Sequence, residues 1–326
     1  MTGESTTTDT RPPAGAGPPA GAGIPRLSGG LRLGLLVGGL VLALLTGFGL
    51  GRMDTGGAAG AMGGATVADH THLPGTGPHD HGGSGPGSAA PAAVGGLSLS
   101  GGGFTMVPAT TSFPAGGSHD LRYVIRGADG APVTRFAMVH DKPMHLVVVR
   151  RDLSGYQHLH PTMAADGNWH IPLTLPEPGV WRAYADFTAI DATGRQVAAT
   201  LGVDLVVAGR YAPRPLPAAA REATSAEFTV AYQGTPRVGA AQPLLFRVSG
   251  QGAPVTDLEP YLGAYGHLVA LRDGDLAYLH VHPEPQLVSG AVKFWLAVPS
   301  PGRYRMFLDF QVAGVVRTAA FTLDVS

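Results

Sequence analysis

Two short stretches concentrate side chains that bind metals and move protons. GYQHLHPTM (155–163) and AYLHVHPEP (277–285) each contain His-x-His-Pro, and each follows a third histidine that heads an apolar run, His145 in HLVVVR and His267 in HLVALR. Neutral imidazole is a good ligand for zinc and copper. The spacing reads as a β-hairpin, in which opposed residues have a constant index sum. A turn centred between Asp152 and Leu153 sets His145 opposite His160, and one centred between Gly274 and Asp275 sets His267 opposite His282. His158 and His280 lie two residues before these partners and share their face. Opposed Cβ atoms stand about 4.5–5.5 Å apart and diagonal ones about 7–8 Å, while an imidazole nitrogen sits about 2.0–2.1 Å from its metal. The expectation is one ion per hairpin, held by His145, His158 and His160 in the first and by His267, His280 and His282 in the second.

Asp186 in YADF and Asp309 in FLDF could supply a fourth donor from a third strand, or could instead cap a turn or receive an arginine. Met144 and Met163 flank only the first set, where the second has Gly266 and Pro285, and thioether sulfur suits Cu(I). His140 and His170 also have no counterpart in the second stretch and read as surface residues. A lone strand histidine is ordinarily a packing or solvated residue. Retention of three in both stretches tips the reading toward a transition metal ion, copper ahead of zinc.

Other chemistry is poorly supported. There are no cysteines, which excludes disulfides, thiolate ligands and cysteine nucleophiles. Neither G-x-S-x-G nor HExxH occurs. The cupin pattern needs a Glu four residues after His-x-His, where this chain has Ala164 and Gln286. A three-histidine site with an open position could activate water, leaving a metal-dependent hydrolase or oxidase as a weak third option. The net charge of −1 excludes an electrostatic grip on nucleic acid.

The elements that must position these histidines form a repeat. GAPVT recurs at 130–134 and 252–256, HLVVVRRDLSGYQHLHP (145–161) returns as HLVALRDGDLAYLHVHP (267–283), and PGVWRAYADF (178–187) returns as PGRYRMFLDF (301–310). The offset is 122 residues for the first two blocks and 123 for the third. Short apolar runs between Gly, Pro and Asp-Gly signals predict an all-β fold, two tandem immunoglobulin-like β-sandwiches at 97–208 and 224–326 joined by a Pro/Ala-rich linker at 209–223.

The 326-residue chain carries 49 Gly and 28 Pro, concentrated toward its N-terminus. Residues 1–30 read as a disordered cytoplasmic tail. Residues 31–51 read as a transmembrane helix, since the uncharged run from Leu33 to Gly51 would rise about 28 Å, close to a bilayer core. Arg11, Arg26 and Arg32 precede the run and only Arg52 closely follows it, which places the remainder outside the cell. A cleaved signal peptide is the rival reading, with AGAMGGA beyond the run as its cleavage region. Residues 52–96 read as a flexible tether, in which DHTH and HDH bring His70, His72, His79 and His81 as loose metal ligands or as incidental polar residues.

The block PMHLVVVRRDLSGYQHLHP with PGVWRAYADF resembles bacterial secreted or membrane-anchored proteins that carry YtkA-like, immunoglobulin-like domains near heavy-metal or copper handling functions. That resemblance covers roughly 130–190 and 253–312. It implies a β-sandwich and, more loosely, metal handling, and it carries no catalytic residues. The expected function is therefore a non-enzymatic, membrane-anchored extracytoplasmic protein that sequesters copper or zinc or passes it to a metal-transport or cuproprotein partner. The alternative is a surface adhesion or scaffold module whose histidines are structural.

Overall fold

The computed structural model describes residues 94–279 and 281–326, with His282 described by its backbone alone. The run at 33–51, the tether histidines His70, His72, His79 and His81, and His280 lie outside the described residues. All described residues fall within one unit.

Among them there are strands and no helix. The first half holds β1 (Val94–Gly95), β2 (Ser100–Gly101), β3 (Phe104–Pro108), β4 (Ser112–Phe113), β5 (Ser118–Arg126), β6 (His145–Arg150), β7 (Gln157–Leu159), β8 (Thr162–Met163), β9 (Asn168–Thr174), β10 (Gly179–Ile190) and β11 (Gln196–Val207). The second holds β12 (Glu222–Ser225), β13 (Phe228–Gln233), β14 (Ala241–Gly250), β15 (Ala253–Pro254), β16 (His267–Arg272), β17 (Tyr278–Leu279), β18 (His282–Pro283), β19 (Val292–Ala297), β20 (Gly302–Val312) and β21 (Val315–Val325).

Each half is a two-sheet sandwich. In the first, β2-β3-β5-β9-β8 packs on β4-β11-β10-β6-β7, and in the second, β12-β13-β14-β19-β18 packs on β1-β17-β16-β20-β21. Read by chain order, β3-β5-β9-β8 against β11-β10-β6-β7 is the A-B-E-D against G-F-C arrangement of an immunoglobulin sandwich, extended by one strand beside C. A tyrosine corner accompanies it. Tyr304, near the start of β20, donates its hydroxyl to Ser300 O at 2.8 Å. In the first repeat Trp181 takes this place and donates Nε1–H to Glu177 O at 3.0 Å.

The strands that carry histidines are apolar on both faces. In β6, Leu146 and Val148 enter the core of the first sandwich, while Val147 and Val149 join a separate cluster with Leu153, Tyr184, Val269, Leu271, Leu276, Tyr278 and Phe307. That cluster draws on both repeats. The sheets bearing β6 and β16 therefore face one another, and the histidine face of each is turned toward its sister repeat rather than toward water. Burial of each such Val or Leu is worth about 1.5–3 kcal/mol, which explains why HLVVVR and HLVALR show no period-2 alternation.

Reciprocal contacts across the contact follow an approximate twofold relation. Tyr156 of the first repeat donates to Asp309 of the second at 3.1 Å, and Asp186 of the first lies near the Tyr278 hydroxyl of the second and, after burial, helps to raise its pKa. Tyr156 stacks on Phe307 with centroids 4.1 Å apart, and at the equivalent place Tyr278 meets Tyr184 at 5.4 Å, where Tyr184 also donates to Leu276 O at 2.6 Å. The N-terminal strap adds to this. β1 pairs with β17 of the second repeat, while Gly96 N–H donates to Thr200 O on β11 of the first.

Candidate metal centre between the repeats

The hairpin register is the one the sequence predicts. Leu146 lies opposite Leu159 and Val147 opposite His158, an index sum of 305, so His160 stands where it opposes His145. In the second repeat Ala270 opposes Leu279, an index sum of 549, the value that sets His267 against His282. On the other side of each hairpin strand, Asp186 lies opposite His145 and Asp309 opposite His267.

In the first repeat the three imidazoles converge. His145, His158 and His160 each offer a ring nitrogen, and these nitrogens all lie within 4.8 Å of one another. His145 Nδ1 and His158 Nε2 are 3.1 Å apart. Two nitrogens about 2.05 Å from one ion would be separated by ~2.9 Å at a right angle and ~3.3 Å at the tetrahedral angle. The ring centroids of the trio are 4.9–5.3 Å apart.

The outward-facing nitrogens fix the tautomers. His145 Nε2 lies 2.9 Å from Val139 O, a pure acceptor, so it carries the proton and leaves a lone pair on Nδ1. His158 Nδ1 lies 2.9 Å from the Asp309 carboxylate, so it carries the proton and leaves a lone pair on Nε2. In the neutral rings two lone pairs therefore face each other across 3.1 Å. This juxtaposition is unfavourable unless a cation lies between them. His160 Nε2 is buried and has no hydrogen-bond partner among the described residues. Imidazole N–H groups held by a backbone carbonyl and by a carboxylate are the usual outer supports of metal-bound histidine.

The second repeat also reaches this point. His267, only 6% exposed, directs Nε2 at Tyr261 O, 2.9 Å away, as His145 does at Val139 O. Its ring centroid lies 6.3 Å from that of His145 and 6.0 Å from that of His158. Two equivalent turns supply the carbonyls. Each has positive φ at both central residues, His140 and Asp141 in one and Leu262 and Gly263 in the other, the signature of a type I′ turn. His140 is thereby carried to 5.0 Å from His267 and 6.1 Å from His145, centroid to centroid.

Electrostatics keep the outer members of the group neutral. Burial, followed by repulsion from His158 and His145, lowers the His160 pKa to about 3. Burial also lowers that of His267 to about 4, against the opposing pull of its bond to Tyr261. Both rings present lone pairs at pH 7.

Several expected roles fall elsewhere. Asp186 accepts from the Thr200 hydroxyl at 2.8 Å, and among the described residues it is not part of the converging group. Asp309 accepts from Thr318 at 2.5 Å, from Tyr156 and from His158, so it orients a histidine of the other repeat. Met144 is fully buried in the first sandwich core and Met163 packs against the same core, which removes thioether sulfur from the site and with it the sequence argument for Cu(I). His170 is half exposed beside Asp120, a surface residue as expected. His140, by contrast, belongs to the histidine group. Its absence from the second copy, where Leu262 stands, hid it from any comparison of the repeats. A converging trio in the second repeat would need His280 and the His282 side chain, which are not among the described groups.

A family described as a domain of unknown function, DUF8832, matches residues 100–204 and again 223–326. No YtkA-like or copper-handling family is shown. No curated protein matches the chain. Among solved structures, a Salmonella alpha-2-macroglobulin reacted with methylamine is similar over 71% of this chain and 15% of its own, with 14% identity and a TM-score of 0.25. The Escherichia coli adhesin FdeC is similar over 70% of this chain and 66% of its own, with 18% identity and a TM-score of 0.22. A 1.5-MDa bacterial ice-binding adhesin covers 68% of this chain and 64% of its own, with 11% identity and a TM-score of 0.21.

Proposed function

The chain belongs to the DUF8832 family in both of its halves, and from that premise we propose that it is a non-enzymatic binding protein for a transition metal ion, copper(II) or zinc, held by His145, His158 and His160. The observation that carries this is the pair of lone pairs on His145 Nδ1 and His158 Nε2, 3.1 Å apart, with His160 beside them. An all-imidazole site suits either metal. The uncharged run at 33–51 and the arginines before it support a membrane anchor with both sandwiches outside the cell. There the protein would sequester the ion or hand it to a transport or metalloprotein partner, with His70, His72, His79 and His81 of the tether as a loose capture segment.

The test is titration of the full chain in detergent with Zn(II) or Cu(II), followed by calorimetry. Uptake of one ion at the trio is expected, and it should disappear in the His158→Ala/His160→Ala double variant. Absence of uptake by the wild-type chain overturns the reading.

One observation favours a second reading, an adhesion or scaffold module with structural histidines. A single proton shared between His145 Nδ1 and His158 Nε2 would also satisfy the 3.1 Å contact. Under that reading the melting temperature is indifferent to added metal and to chelator.

A further inference from the structure

We infer that His267 of the second repeat supplies the fourth ligand to the ion held by the first, so that the metal centre is a clasp between the two sandwiches. The inference rests on the metal-binding reading above. It changes that site from one per repeat to one shared by both.

Four features point this way. His267 Nε2 is committed to Tyr261 O in the same manner as His145 Nε2 to Val139 O, which makes Nδ1 its candidate ligand atom. The ring is buried at the seam, tilted 32° from the His145 ring and 66° from the His158 ring. Its centroid separations of 6.0 and 6.3 Å exceed the 4.9–5.3 Å of the trio by about an ångström. Four imidazoles about 2.05 Å from a tetrahedral ion would have centroids ~5.2 Å apart, so His267, which lies outside the converging trio as it stands, must close on His145 and His158 by about an ångström to join it. The second repeat is already engaged with the site, because its Asp309 holds His158 Nδ1–H at 2.9 Å.

His140 is the competitor for the fourth position, since its ring also borders His145 and His267. It stands half-buried on a turn in the left-handed region, φ 48°, whereas His267 is buried on strand β16 with Nε2 hydrogen-bonded to Tyr261 O. The packed second-repeat histidine is better fixed.

Cobalt(II) is a suitable probe because its visible bands and its paramagnetic shifts report the ligand set. The full wild-type chain in detergent should take up one cobalt with the intense bands of a four-coordinate site and show four solvent-exchangeable, hyperfine-shifted imidazole N–H signals. His267→Gln should keep cobalt through the trio, lose one shifted signal and bind at least about 10-fold more weakly, the lower end of what even outer supports contribute. His140→Gln should keep all four signals. Three signals in the wild-type chain, or loss of the fourth in His140→Gln but not in His267→Gln, overturns the clasp and leaves the trio standing. No cobalt uptake by the wild-type chain overturns the trio as well. The wild-type signal count decides the matter even if His267→Gln does not fold.

Discussion

At the scale of single residues, the site depends less on how many histidines there are than on which of their nitrogens is occupied. Val139 O and Asp309 each take one N–H, and the remaining lone pairs are forced to face inward. Asp309 is therefore a positioning residue. It is 2% exposed and is held by Thr318 and Tyr156. Asp309→Asn preserves its shape but can present an amide N–H toward His158, which favours the wrong tautomer. We expect one ion still to bind, with affinity lower by about 10- to 100-fold. Titration with a zinc-responsive dye checks this, and an unchanged affinity would show that Asp309 only packs. Met144 provides the opposite case. Its side chain lies in the sandwich core, so Met144→Leu should cost less than about 1.5 kcal/mol in stability and leave copper affinity unchanged. A loss of copper affinity in that variant would return sulfur to the site. The role of Asp309 is not legible in the sequence. Asp309 lies 151 residues from His158, and their meeting depends on how two domains dock. Met144 precedes His145 directly, but adjacent strand residues point to opposite faces, and that alternation alone could have placed it in the core.

At the scale of elements, the hairpin β6–β7 aims the ligands, and its turn fixes the aim. Gly155 has φ +66°, and a Cβ there would sit 2.5 Å from the Trp181 ring. That ring is itself pinned by its bond to Glu177 O. Gly155→Ala should destabilise the protein by more than the ~1–2 kcal/mol of a left-handed non-glycine residue, because the indole must also move. It should weaken metal binding too, since the strand that follows bears His158 and leads directly into His160. Gly274, in the matching turn of the second repeat, has φ +101° and nothing within 4 Å of a built Cβ. Gly274→Ala is thus the control, with backbone strain alone. Thermal melts of the two variants side by side measure the difference, and equal losses would show that the Trp181 contact does not matter. Much of this level was legible. The Asp-Gly turn of the second hairpin and the index sums of both are enough to set their register, because side-chain period and turn position together leave few alternatives. The unbroken apolar runs HLVVVR and HLVALR carried a further message, since a strand without alternation is covered on both faces. That message implies that something packs on the histidine face, although it does not say what.

At the scale of the whole molecule, the covering object is the other repeat, and this is what brings His267 of the second repeat beside the histidines of the first. The fold class and the duplication follow from patterning and internal comparison. The docking of the halves does not, because it is settled by many side chains from distant segments, among them Leu153, Tyr184, Leu276 and Phe307. The result places titratable rings at a largely apolar seam, and acid should open it. His267 faces His145, His158, His140 and Tyr261, while His160 faces His158, His145 and Tyr261, with Lys142 nearby. Folding lowers the pKa of His267 to about 4 and that of His160 to about 3, from the ordinary 6.5 of the unfolded chain. Below pH 6.5 the unfolded state therefore binds protons that the folded state refuses, and stability falls as pH falls. Above pH 6.5 both states are neutral at these rings and their contribution is constant. Carboxylates held below their usual range, such as Asp152 and Asp275, add their own loss only near and below about pH 4. In chelator, the melting temperature of the metal-free chain should be level from pH 8 to 7, decline between pH 6.5 and 4, and steepen below. In His267→Gln the decline between pH 6.5 and 4 should be shallower, because one refused proton is gone. A wild-type profile that is flat across that window would show that the rings at the seam accept protons freely, and that the seam is wetter than its packing indicates.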